Sequence, residues 1–228
     1  MGHVRELTEP IAGHDDERLA AFHEAGHFVM CIVHRMMPTR ITIRREETPN
    51  GPLSGRMQYM RPRRRWFESG WREVDVLLAG MVAEARIHQD HVETAGAIDR
   101  KAALEIAQRR AGYPARAAQR VEERLAAVER RFADPVVWAA TVDVATSVLA
   151  RKTIEGEALL ALCRQTADAV HRPGIAMWKW PGYATVARAA FPDGLGPELT
   201  AALRRDRVWR IVWIVLAVAA ALSRLAAH

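Results

Sequence analysis

The feature that most constrains this chain is the stretch Phe22-His23-Glu24-Ala25-Gly26-His27-Phe28, set inside an apolar run that continues to Val33. On a helix, His23 and His27 leave the same face one turn apart. Two imidazole nitrogens so placed can bind one Zn²⁺ at ~2.0–2.1 Å. Glu24 stands one residue from His23 and three from His27, so its carboxylate borders the same ion and is placed to take a proton from an attacking water. The bland alternative is a helix that merely carries two histidines. Phe22, Phe28, Val29, Ile32 and Val33 argue against it, because they mark a buried helix, where two histidines and a glutamate are costly without a partner.

The rest of the chain sets bounds on this reading. Its 228 residues suffice for one good core with a small appendage. The net charge of +6 is carried almost entirely by arginine, since Lys101, Lys152 and Lys179 are the only lysines. Those arginines are dispersed, mostly alternating with glutamate on helices, and only Arg61 to Arg65 is dense. With no zinc-finger spacing or aromatic-basic motif beside them, nucleic acid is not an expected partner. No Gly-x-x-x-x-Gly-Lys loop occurs in the sequence, so no nucleotide motor is expected of these residues. Cys31 and Cys163 are too few for a disulfide framework and are expected as reduced thiols, and Met1 to Glu17 has no apolar core, so a cytoplasmic location without a secretory signal is expected.

Periodicity and turn chemistry lay out the elements. Asp15 and Asp16 offer a cap for the metal helix, which is expected to run to about Met36 and to end before Pro38. Arg40 to Arg44 alternates and is β-branched; with Ser54 to Met60 across the turn residues Thr48 to Pro52 it reads as a hairpin or small sheet. An exposed strand edge beside such a helix could take an extended peptide by adding a strand. Arg61 to Arg65 reads as a solvated basic loop. Val74, Leu77, Leu78, Met81, Val82 and Ile87 predict a helix over Trp71 to His88. Gly80 in its middle costs roughly 1 kcal/mol against alanine, which points to close packing, with Ala25-Gly26 as the matching slim surface. Further helices are expected from Asp99 to Arg110, from Arg116 to Phe132, from Asp134-Pro135 to Ala150, and from Glu155 to Val170 with Thr153 as cap. Pro173 to Gly196 is less regular. Residues 208–222 are the most apolar run, yet Ile211 to Ser223 falls short of the ~20 residues that span a bilayer. Buried packing, interfacial anchoring and a short span all fit it, and its all-round apolarity favours membrane association.

Two histidines leave a zinc site incomplete. His34 lies two turns, or roughly 10 Å, beyond His27, which is too far. Glu46 and Glu47 follow a strand, and His88 and His91 lie near a helix end. Glu84 and Asp99 are the better candidates, each on a helix with small neighbours, and spacing alone leaves both open.

His23-Glu24-Ala-Gly-His27, then Leu78-Ala-Gly-Met-Val-Ala-Glu84, then Thr94-Ala-Gly-Ala-Ile-Asp99, together resemble the peptidase domain of the FtsH-type zinc metalloproteases. Val148-Leu-Ala-Arg-Lys-Thr-Ile-Glu-Gly-Glu157 is similar to that family's closing helix-turn-helix. The ordered match covers about residues 15 to 165. The resemblance implies His23, His27 and Asp99 as zinc ligands, Glu24 as general base, and Glu84 in packing or in support of a ligand. It also implies a mainly α fold, a helical zinc-peptidase domain with one small β-hairpin or sheet, to which the apolar C-terminal helix is added. The expected organisation is a polar arm over residues 1–14, the zinc-peptidase-like domain over 15–170, an irregular or helical extension over 171–206, and the apolar helix over 207–228 as a candidate membrane anchor.

Family members carry an ATPase domain and a membrane segment ahead of the peptidase, and neither is legible here. ATP dependence and threading of folded substrates are therefore not implied. The expected activity is zinc-dependent hydrolysis of peptide bonds in flexible or unfolded proteins without an ATPase of its own, served by a separate ATPase or by homo-oligomerisation if by anything. The competing expectation is a non-catalytic, zinc-pinned, membrane-associated adaptor. The presence of every catalytic residue type favours the enzyme.

Overall fold

The computed structural model describes residues 15–44, 46–48, 51–53, 55–60, 69–88, 96–171, 173, 177, 180 and 183–190. The arm before Asp15, the basic loop Arg61 to Arg65, His91 and the apolar run over 208–222 lie outside them. The described architecture is mainly α with a small antiparallel sheet, as expected.

Helix α1 (Asp15–Val33) is the axis of the fold. It packs chiefly between α2 (Ser69–Ile87) and α5 (Pro135–Arg151). Being covered on two sides, it separates two apolar clusters. Phe22, Phe28, Val29 and Ile32 join Val144, Val148, Leu159 and Cys163 on one side. Met30 and Cys31 join Val74, Leu78, Val121 and Phe132 on the other. This is why its sequence is apolar all round rather than on one stripe.

The helix stops earlier than its sequence suggests. It ends at Val33, not near Met36, because Arg35 turns into the left-handed region at φ 57°. The Met36 N–H then donates to Cys31 O (2.8 Å) and the Arg35 N–H to Ile32 O (2.9 Å), the paired bonds of a Schellman cap. Pro38 opens a strand instead of ending the helix.

That strand, β1 (Pro38–Thr42), is the centre of a three-stranded sheet in the order β4-β1-β5. The short strands β2 (Glu46–Thr48) and β3 (Gly51–Leu53) pair with each other where a simple turn was expected, so Glu46 and Glu47 belong to a strand. Strand β4 (Arg56–Tyr59) pairs antiparallel with β1, Ile41 opposite Met57, and is an outer strand of the sheet among the described residues. On β1's other side lies β5 (Thr153–Ile154). Thr153 is thus a strand residue rather than a helix cap. Its hydroxyl pairs with Thr42 Oγ1 at 2.7 Å, and two residues of backbone are claimed by the sheet before the next helix can start.

The remaining helices frame α1 and α2. Helices α3 (Ala97–Ala111) and α4 (Pro114–Ala133) pack on α2, and Arg124 of α4 forms a two-pronged ion pair with buried Asp75, which also meets His34 at 2.8 Å. Asp134 caps α5 by accepting from the Val136 N–H at 2.9 Å, with Pro135 in the first turn, as the Asp-Pro pair predicts. Helix α6 (Gly156–Val170) starts one residue later than expected. Helix α7 (Tyr183–Ala190) closes the described chain, and Trp180, Tyr183 and Val186 enter the same apolar cluster as Phe28, so the stretch beyond residue 170 contributes to the core. Among the described residues no single helix is long and apolar enough to cross a membrane; α4 and α5 reach that measure only as a pair bent by 84°.

Candidate metal centre

Three elements meet at one point. Helix α1 brings His23, Glu24 and His27, α2 brings Val76, Gly80 and Glu84, and the first turn of α3 brings Asp99. Helices α1 and α2 approach closely because their contact is made of small residues. A Cβ at Gly26 would meet Ala79 O at 2.4 Å, and one at Gly80 would meet His27 Nε2 at 2.6 Å and His23 Nε2 at 2.8 Å. The close packing expected at Gly80 is therefore packing against the histidine rings themselves.

The geometry around those rings is specific. His23 Nε2 lies 2.9 Å from Asp99 Oδ2 and 3.0 Å from His27 Nε2, and His27 Nε2 lies 3.3 Å from Asp99 Oδ2. On their far sides, His23 Nδ1 faces Glu84 Oε2 at 2.9 Å and His27 Nδ1 donates to the Val76 carbonyl at 2.6 Å. With each Nδ1–H held outward, both Nε2 lone pairs face Asp99.

A four-coordinate ion at ~2.0–2.1 Å holds its donors roughly 3.3 Å apart. The three separations found here are close to that, and two imidazole nitrogens with one carboxylate oxygen are a donor set suited to zinc. The residues present fit the ion. Of the candidates left open by spacing, the structure brings Asp99 to the Nε2 side and Glu84 to the Nδ1 side. His34 is held at Asp75 instead.

The electrostatics are those of a cation site. Burial works against a charge on His23, but the hydrogen bonds to Asp99 and Glu84 outweigh it and raise the pKa to about 10. Burial likewise works against a charge on Asp99, and the neighbouring His27 and His23 outweigh it, so its carboxyl is held well below the usual range. A proton on His23 and a divalent ion therefore compete for the same lone pair. Glu24 differs. Burial pushes its pKa up, opposed by His27 and His23 and by a hydrogen bond from the Met57 backbone. It is 6% exposed, and among the described residues its Oε2 has no hydrogen-bond partner. A buried, unsatisfied carboxylate oxygen beside the histidines is suited to accept a proton.

The Val76 carbonyl and the Met57 N–H are backbone groups, and no side-chain pattern announces them. Compared with known proteins, the chain matches no protein-family model and no curated protein.

Proposed function

We propose that this protein is a zinc-dependent endopeptidase that hydrolyses peptide bonds in flexible or unfolded polypeptides. One observation carries the reading: two Nε2 atoms and one carboxylate oxygen converge within 4.8 Å, next to a buried glutamate with an unpartnered oxygen. A metal-pinned structural site has no need of that fourth group. The ordered resemblance to FtsH-type peptidases supports the same assignment.

His23, His27 and Asp99 hold the ion, and Glu84 and the Val76 carbonyl orient the two imidazoles. Zinc in such a site supplies Lewis-acid polarisation of a carbonyl and acidification of water. Glu24 accepts the proton of the attacking water on a carboxylate oxygen and delivers it to the leaving amine nitrogen. Its burial favours the protonated form and so assists the first of these transfers, the acceptance of the proton. Strand β4 is an outer strand of its sheet beside Glu24, a position suited to align an extended substrate by main-chain pairing. The apolar run over 208–222 is assigned to membrane association on its composition.

The test is hydrolysis of an unfolded, casein-like substrate by the purified chain, with zinc content measured alongside. Wild type is expected to carry about one equivalent of zinc and to cut equally with and without ATP. Glu24→Gln should keep the zinc while hydrolysis falls about 10²–10⁴-fold. Zinc without hydrolysis of any unfolded substrate would leave a metal-pinned interaction protein, and wild-type chain that takes up no zinc would overturn both.

A further inference from the structure

Gly55, immediately before β4, lies against Glu24. The three heavy atoms nearest to a Cβ built on Gly55 all belong to that one side chain: Oε1 at 2.8 Å, Cγ at 3.0 Å and Cδ at 3.2 Å. The space a side chain would take at position 55 is occupied by the Glu24 carboxylate. Gly55 does not need to be glycine for its own backbone, since its φ lies outside the left-handed region that Gly112 and Gly156 occupy. The reason for the missing side chain is Glu24.

We propose that Gly55 is a positioning residue for Glu24, and that the entry to β4 forms the wall that holds the carboxylate in place. Gly55 limits the carboxylate by contact and Met57 holds it by its N–H. The wall cannot easily retreat, because Arg56 and Met57 are in register with Thr42 and Ile41 of β1. The end of the Glu24 side chain can move. A methyl group at position 55 is therefore relieved by displacing the carboxylate, at little cost to the fold and at the expense of proton transfer, where a misplacement of about 1 Å costs about 10²-fold. The catalytic consequence rests on the peptidase assignment above; the contact itself does not.

The test is Gly55→Ala in the full chain, alone and combined with Glu24→Gln. Zinc should stay near one equivalent and the unfolding midpoint close to wild type. A crystal structure should show the Glu24 carboxylate displaced while His23 and His27 keep their places. kcat should fall about 10²-fold with KM little changed, and in the Glu24→Gln background Gly55→Ala should have no further effect, because the group it acts through is gone. A merely structural role would multiply with Glu24→Gln instead, and that result would overturn the proposal. An unmoved carboxylate with unchanged kcat would also overturn it. A displaced carboxylate in a chain whose wild type never hydrolyses would uphold the contact and refute the peptidase assignment.

Discussion

Glu84 Oε2 lies 2.9 Å from Nδ1 of His23, on the side of the imidazole turned away from Asp99. One ring is thus held from both ends by two carboxylates. Asp99→Ala should abolish stoichiometric zinc binding, whereas Glu84→Ala should weaken it about 10–100-fold, the usual cost of losing a ligand's orienting partner. Zinc titrations of the two variants check this. Tight zinc binding in Asp99→Ala together with complete loss in Glu84→Ala would exchange their roles.

Metal removal should leave a pH signature. In the metal-free chain His23 is raised from 6.5 to about 10, so the folded state keeps a proton that the unfolded state releases. The stability this contributes is fully present below pH 6.5 and is lost as the pH rises toward 10. Melting midpoints in excess chelator should fall across that window. With zinc bound the fall should be smaller, because the ion takes the proton's place and binds better as pH rises. A midpoint in chelator that stays level across the window would contradict the argument.

The two close-packed glycines should fail in different ways. At Gly26 a methyl group meets backbone, Ala79 O at 2.4 Å, and the helices must part, at about 1–3 kcal/mol for overpacking. At Gly80 it meets the tips of the His27 and His23 rings, which can turn aside, and alanine's better helix propensity returns about 1 kcal/mol. Gly26→Ala should therefore lower the melting midpoint, and Gly80→Ala should lose zinc with a smaller loss of stability. Full zinc occupancy in Gly80→Ala would show that the rings have room that the geometry denies them.

Cys31 and Cys163 are fully buried free thiols, and burial pushes both pKa values up. Alkylation of the native chain should be slower than in denaturant by roughly 10³-fold or more, the folded-to-unfolded ratio of a stable domain. The labelling rate followed by mass spectrometry checks this. Rapid labelling of either cysteine in the native chain would show that one of the two clusters beside α1 opens locally.

Much of the site was legible because it is local. His23, Glu24 and His27 share one helix, and the four-residue interval between the histidines determines that both rings leave the same face. The helices over 71–88, 116–132 and 134–150 were legible for the same reason, since periodicity and an Asp-Pro start depend only on neighbours in sequence. Gly80 and Gly26 announced a helix crossing through their lack of side chains. The candidates for a third ligand narrow to Glu84 and Asp99 because each stands on a helix with small neighbours, and resemblance alone singles out Asp99.

What the tertiary structure decided are the relations between distant segments. Asp99 lies 76 residues from His23 and Glu84 lies 61, and which carboxylate faces Nε2 and which Nδ1 depends on how α2 and α3 cross α1. Sheet pairing likewise turned Thr153 from an expected cap into a strand residue, since Thr42 and Ile41 supply partners that no local pattern contains. The end of α1 was set by Arg35 adopting a left-handed turn, a conformation that a residue with a Cβ seldom signals in sequence. Gly55 shows the same division. A glycine at the start of a strand says that something comes close, and only the folded chain shows that it is Glu24.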